Sequence, residues 1–372
     1  MAHISGLLLI DCPASALNNA GKSTEMELRD PVNDNWTAIK KVRTAQGVFP
    51  YVSAQAFRYW LRDTLTKIPG WTPSPVFRED KVAYTDADPI QYAEDDVFGY
   101  MRAPGGKGKE LGEKRTKWKE AGLSDQDTEG SGDKLKFAAL TRSSPFKMST
   151  LISIGPLRSR DVGSDFGTMS RFDGDPVPFT HEFYRTTLVG MFSIDLGQIG
   201  RFYHVDRTGY RHLDALRKKV AEEKGLKSVD SGRAFELPLE TRKKRLSQVL
   251  QGLAALNGGA KQALHYTDVS PRLLMMGVAK GGNHLFATVA GPGDKGQPII
   301  NLAALEETGN VFKDDLLSEF FIGLAKGYLD DQRAGMQESL AKISPTAQIE
   351  HPVEMIRSFS TELEKQAERW LA

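Results

Sequence analysis

Two stretches decide the fold: HISGLLLIDC, from His3 to Cys12, and EFYRTTLVGMFSIDL, from Glu182 to Leu196. The first is a short continuous apolar run between polar residues, the pattern of a strand buried on both faces. The second alternates over many residues, as a long strand does when one side meets a core and the other is less buried. Residues 147–155 and 272–280 read as further strands, and Phe202–Val205 as a short one. Residues 284–290 read as a strand paired with 272–280, because Gly281-Gly282 between two apolar runs is a hairpin signal.

Between the strands lie helices. Ser53 is a good N-cap for a helix to Lys67, since its hydroxyl can accept an orphan amide, and Phe57, Trp60, Leu61 and Leu65 fall on one face. Glu240–Gly258 repeats the pattern with Leu246, Val249, Leu250 and Leu253. Residues 208–235 read as partly helical. The last third predicts one amphipathic helix through Leu316, Leu317, Phe320, Phe321, Leu324 and Tyr328. It predicts another through Val353, Ile356, Phe359, Leu363, Ala367 and Trp370, opened by Pro352. Strands and helices mix without steady βαβα alternation, so the expected class is α+β around an antiparallel sheet.

Two segments interrupt this frame. Residues 70–145 read as an insertion of mobile loops rather than core, with helices at Asp95–Met101 and Lys134–Leu140. Residues 79–96 hold seven acids and one base; residues 102–119 hold seven bases and two acids. Residues 156–180 form a long polar excursion of the kind that is functional or disordered.

The 372 residues are 40% hydrophobic and 26% charged, enough for a sizeable core in one elaborated domain or two. The net charge of +1 means that any hold on a phosphate backbone must come from local clusters. Cys12 is the single cysteine, so no intrachain disulfide and no cysteine-based zinc site can form; it reads as a small buried hydrophobe in a reducing cytoplasm. No secretory signal and no run near the roughly 20 apolar residues of a membrane span is expected.

Enzymatic motifs are weak. Ala16 to Ser23 ends in Gly-Lys-Ser like a phosphate-binding loop, but Ala16 replaces the first Gly and Pro31 arrives where a helix should run. The seven histidines form no ligand pair at metal spacing. Asp30 and Asp34, with Asn33 and Asn35, fit turns or a cation. No nucleophile elbow is present. No catalytic residue, metal or cofactor is therefore expected.

Nucleic-acid signals are individually modest and mutually consistent. Lys40, Lys41 and Arg43 form a basic cluster beside an edge. Gln55, Arg58 and Arg62 put donors on one helix stripe. Arg158, Arg160 and Arg171 are interleaved with Phe166, Met169 and Phe172. Cations hold phosphates, and apolar or aromatic groups stack on bases or wedge between them.

ISGLLLIDCPASALNNAG (residues 4–21), IKKVRT (39–44) and FPYVSAQAFRYWLRDTL (49–65), with its Tyr-Val-Ser-x-Gln-x-x-Arg block, resemble the DevR-type backbone proteins of type I (I-B) CRISPR Cascade complexes, within the RAMP superfamily. VAKGGNHLF (278–286) matches more weakly. The resemblance implies an RRM-like (ferredoxin-like) palm with a finger-like insertion, a thumb loop and C-terminal helices. It divides the chain into palm at 1–69, fingers at 70–145, a palm strand at 146–156, thumb at 157–180 and the rest of the palm at 181–372. It implies crRNA, other Cascade subunits, copies of the chain itself in a filament, and target DNA reached through the guide as partners. By region it assigns RNA contacts to Asn18, Asn19, Lys40, Lys41, Arg43, Ser53, Gln55, Arg58, Arg62, Lys280, Asn283 and His284, and a thumb wedge to Met169 with Phe172. Type III relatives cut RNA with an Asp after the first strand, which leaves Asp30 and Asp34 as the alternative, ahead of a P-loop reading.

Overall fold

The computed structural model describes residues 1–22, 36–79, 81–107, 110–158, 161–169, 173–175, 177–207 and 209–372. Among them a twelve-stranded sheet organises the chain. Its strands are β1 (Ala2–Ser15), β2 (Asn19–Lys22), β3 (Trp36–Ile39), β4 (Lys41–Thr44), β5 (Gly47–Val52), β6 (Phe146–Met148), β7 (Leu151–Ser153), β8 (Val162–Met169), β9 (Val177–Asp195), β10 (Leu273–Lys280), β11 (Phe321–Leu324) and β12 (Ile349–Glu350). The main order is β12-β11-β10-β1-β9-β7-β5-β4, antiparallel except for β11 with β12. Strand β9 is the spine. Along one edge it pairs β1 and then β3; along the other it pairs β6, β7 and β8 in turn.

The helices are α1 (Ala54–Thr66), α2 (Ala93–Phe98), α3 (Glu110–Glu120), α4 (Ala215–Glu223), α5 (Leu239–Ala254), α6 (Leu302–Val311), α7 (Asp330–Ile343) and α8 (Pro352–Trp370). On one face of the sheet Ile4, Leu8, Ile10, Leu188, Phe192, Ile194, Leu274 and Met276 pack with α1, α5 and α8. On the other, Leu7, Leu9, Leu273 and Met275 meet Phe286, Leu305, Phe320, Met336 and Leu340. Strand β1 is thus covered twice, which is why it reads as a continuous apolar run. Gly6 is required: a Cβ there would lie 2.2 Å from the ring of its cross-strand partner Phe192. Cys12 is buried, and burial pushes its thiol pKa up, so it is an inert core group.

The structure corrects several local expectations. Residues 316–328 form no helix; Phe321–Leu324 is strand β11, an added edge whose apolar run is too short to tell from a helix by periodicity. Gly281-Gly282 opens no hairpin. β10 pairs β1 and β11, and residues 281–286 fold back over β1, with His284 Nε2 3.0 Å from the Gly6 carbonyl and Ser5 Oγ accepting from the Leu285 amide. Residues 134–140 form no α-helix: a 3-10 turn over Gly132–Lys134 ends there, and Lys136–Phe137 is a short strand. Within 156–180 the described residues include β8 and the start of β9, which pair antiparallel.

The insertion is not a set of mobile loops. It has its own core of Tyr84, Leu111, Trp118, Leu123 and Phe137. Its acids are consumed internally rather than displayed. Asp86 meets Arg102 at 3.1 Å, and Asp96 meets Arg142 at 2.6 Å and Arg245 at 2.7 Å, all nearly or fully buried. His212 joins this network: its Nδ1 accepts from the Tyr203 amide at 3.1 Å and lies 3.0 Å from Arg142 Nη1. Burial, with Arg142 beside it, pulls the His212 pKa down to about 2 from its ordinary 6.5. Below pH 6.5 the unfolded chain binds a proton that the native imidazole refuses, so stability falls as pH drops from 6.5 toward 2. The slope reaches about 1.4 kcal/mol per pH unit from this group. His212→Gln should flatten it between about pH 6.5 and 4 in urea titrations; an unchanged slope would place the acid sensitivity elsewhere.

Candidate nucleic-acid interface

Among the described residues, the second face of the sheet is covered over β1, β10 and β11 and as far as Val189 on β9. Beyond them the register brings a row of side chains to the same side, with no layer above it among the described residues. Leu7 pairs Met191, Ser5 pairs Ser193, Lys147 pairs Ser193, Val189 pairs Ile152, and Ile152 pairs Tyr51. Met191, Ser193, Ile152, Tyr51 and Phe49 are half-buried, and Lys147 is exposed. Apolar and aromatic groups between hydroxyls, with cations at the rim, make a surface on which bases can lie while phosphates meet charge. Sequence reading missed Tyr51, Phe49, Lys147 and Met191. The alternation of 182–196 marked an outer face, but nothing local showed which part of it stays open.

The rim carries several of the expected residues. Lys40 joins β3 to β4; its backbone amide bonds the Asn18 carbonyl at 2.9 Å, and Tyr51 donates to its own carbonyl. Asn18 Nδ2 is buried without a partner among the described residues, a donor oriented by the fold and unused within it. Asn19 pairs Ile39 at the start of β2. Arg43 is exposed on β4. Lys41, two residues before Arg43 and so on the same side of β4, lies 3.2 Å from both oxygens of Glu182. At the opposite end of the face, Lys280 reaches the Asp314 carbonyl, and Asn283 is exposed on the loop over β1. His284 is tied down: Nδ1 accepts from the Phe286 amide, so Nε2 carries the proton to Gly6, and burial lowers its pKa. Arg158 is exposed and binds the Asp294 carbonyl at 3.1 Å.

The α1 stripe is divided. Ser53 is the N-cap, accepting from the Ala56 amide at 3.2 Å, and Gln55 is exposed. Arg58 and Arg62 instead hold the neck of the insertion. Arg58 donates to the Phe98 and Phe146 carbonyls and to Ser144 Oγ, at 2.6, 3.0 and 3.0 Å. Arg62 lies 3.4 Å from Glu94, and both guanidiniums sit over the Phe98 ring. Burial, with Arg62 alongside, draws the Arg58 pKa down to about 10. Arg58→Ala should therefore cost about 2–4 kcal/mol by chemical denaturation, from three lost charge-assisted bonds and their stranded acceptors. A loss under about 0.5 kcal/mol would return Arg58 to the list of surface cations.

The β8–β9 hairpin rises beside this face. Gly163 and Gly167 lie opposite Phe183 and Phe179, whose rings occupy the space a Cβ would need, at 2.2 and 2.5 Å. Those aromatic–glycine pairs hold the register. Phe166 points from the hairpin 66% exposed. Met169 closes β8; Arg160, Arg171 and Phe172 lie outside the described residues.

The alternatives find little geometry. Asn19–Lys22, which includes the Gly-Lys pair, is a strand paired with β3, not the glycine loop of a phosphate site. Asp30 and Asp34 lie outside the described residues. Among the described residues no group of three or more His, Cys, Asp or Glu can hold a metal ion, and no helix is long and apolar enough to cross a membrane.

Comparison with known proteins follows this geometry. The sequence model for the CRISPR-associated negative auto-regulator DevR/Csa2 matches residues 15–286. A search of curated proteins finds no match. A chain of a CRISPR RNA-guided surveillance complex is similar with a TM-score of 0.50 at 12% identity, covering 97% of this chain and 99% of that one. A chain of a pre-nicking CRISPR RNA-guided surveillance complex gives 0.44 at 9% identity, with 97% and 99% covered. The first likeness extends the shared fold across the C-terminal helices, and the family match runs through most of the sheet: the chain belongs to the CRISPR-associated DevR/Csa2 family.

Proposed function

We propose that this protein is a non-catalytic backbone subunit that holds crRNA within a type I Cascade complex, of the I-B kind. The observation that carries the reading is the half-open sheet face, apolar and aromatic in its floor and cationic at its rim, in a member of this family. Palm is assigned to 1–69, 146–156 and 181–372, fingers to 70–145 and thumb to 157–180. Lys40, Arg43, Arg158, Lys280 and Asn283 contact phosphate and sugar, with Asn18 and Asn19 below. Such contacts carry no base information, so the guide is held regardless of sequence and pairing with target DNA supplies specificity.

Copies join head to tail, an interface that does not close and so makes an open filament along the RNA. The β8–β9 hairpin reaches the next copy, and Met169, with Phe172, displaces a base at intervals. The test is expression with neighbouring subunits, with and without a CRISPR array, followed by sequencing of bound RNA. Discrete array-derived RNA in an assembly larger than a monomer is the expected result. An RNA-free monomer under both conditions overturns the reading.

A further inference from the structure

At the Lys147 end of the open face the sheet runs into a cavity of about 170 Å³, lined by Ser143, Lys147, Asp195, Gln198, Gly209 and Tyr210 among others. This is well below the roughly 300 Å³ at which pockets for drug-sized ligands begin, so it suits a single ring system. Three features give it chemistry. Tyr210 is 37% exposed, with the Arg207 guanidinium 4.8 Å from its ring centroid and the His212 ring nearly parallel to its own, 10° between planes. Lys147 is exposed at the mouth, in register with Ser193 on the open face. Asp195 presents a buried oxygen, Oδ1, with no hydrogen-bond partner, while its other oxygen lies 3.5 Å from His3 Nε2.

A buried carboxylate oxygen without a donor is costly and asks for an explanation. Burial works to raise the Asp195 pKa, but the His3 hydrogen bond and charge, with the Gln198 backbone amide and Lys147 beside it, hold it below the usual value, so the group stays an anionic acceptor. Ordinary surface packing explains neither that acceptor nor an exposed tyrosine at the cavity mouth.

We propose that this cavity takes one unstacked nucleobase, resting on the same guide-binding reading. The base stacks on the Tyr210 ring in place of the Arg207 guanidinium, as unpaired RNA bases stack on aromatic rings. Asp195 Oδ1 accepts from an N–H or amino group on the base edge, a donor that guanine, adenine and cytosine all present, so the site does not select one guide sequence. Ser143 and Gln198 complete the polar lining, and Lys147 holds the adjoining phosphate.

The experiment uses the full chain with short single-stranded RNA carrying 6-thioguanosine. After irradiation the cross-linked peptide is mapped by mass spectrometry, and affinity is read by fluorescence anisotropy. The wild type should cross-link at Tyr210. Tyr210→Ala should lose that cross-link and bind roughly five- to a hundredfold more weakly, while Tyr210→Phe, which keeps the ring, should retain both. RNA binding with cross-links only elsewhere, or with Tyr210→Ala unchanged, overturns the pocket and leaves the open-face reading standing. No RNA binding by the wild type overturns both.

Discussion

Asp96→Ala should leave little folded protein, and what folds should have lost about 5 kcal/mol or more of stability. The carboxylate is fully buried at the end of α2, where it joins three parts of the chain. It meets Arg142 from the far end of the insertion at 2.6 Å, Arg245 from α5 at 2.7 Å, and the Gly200 amide beyond β9 at 3.0 Å. Arg142 also donates to the carbonyls of Arg201 and Gln198, and Arg245 to those of Pro89 and Ile90. Removing the carboxylate strands two guanidiniums in a dry interior. Loss of one partner from a buried pair costs about 3–5 kcal/mol, and here one deletion uncovers two cations. Against a typical stability of about 5–15 kcal/mol, that is most of what holds the native state. The check is urea denaturation, with Asp96→Ala/Arg142→Met as the second variant. The double change removes one stranded charge with its partner, so it should be less damaging than the sum of the singles. An Asp96→Ala protein within about 1 kcal/mol of wild type would mean that water reaches this network.

That network also marks where local reading of the sequence stops. β1, β9, α1 and α8 are legible because each carries enough apolar residues at one period to identify both element and buried face. Ser53 and Pro352 even place two helix starts. β11 is not legible, since a strand of four residues beside other apolar residues matches a helical pattern equally well. The Asp and Glu run of 79–96 reads as solvated because acids are rarely buried; its partners Arg142, Arg217 and Arg245 come from 46 to 149 residues away. Arg58 and Arg62 mislead for the same reason. Their stripe is a surface feature of α1 until Phe98, Ser144 and Phe146 return over it. Of the candidate interface, the cationic rim at Lys40 and Arg43 is visible as a local cluster. Its floor is not, because Tyr51, Ile152 and Met191 become neighbours only through strand register.

Removing the cations that border that floor should weaken RNA binding and, more tellingly, change its salt dependence. In Lys40→Ala/Arg43→Ala/Lys147→Ala, three side chains along the rim lose their charge, and none is a member of the buried Asp86 and Asp96 ion pairs. A single-stranded RNA releases counterions as each phosphate is neutralised, with a slope near −0.7 per contact in log affinity against log salt. Three lost contacts should make the slope shallower by about 2. At about 0.5–1.5 kcal/mol each, affinity should fall roughly ten- to a thousandfold. The matched control removes three exposed charges from the outer side of α8, which packs on the opposite face of the sheet: Arg357→Ala/Lys365→Ala/Arg369→Ala. Anisotropy titrations over about 50–300 mM salt compare the two sets. If RNA follows the open face, the rim set changes both affinity and slope while the α8 set, with equal change in net charge, moves neither by more than about threefold. Equal losses in both sets would mean that RNA responds to the charge of the whole molecule, and the open face would have no claim to the guide. An unchanged slope in the rim set alone would move the phosphate path to the Lys280–Asn283 end and the Arg158 side of the hairpin, where the remaining exposed donors lie.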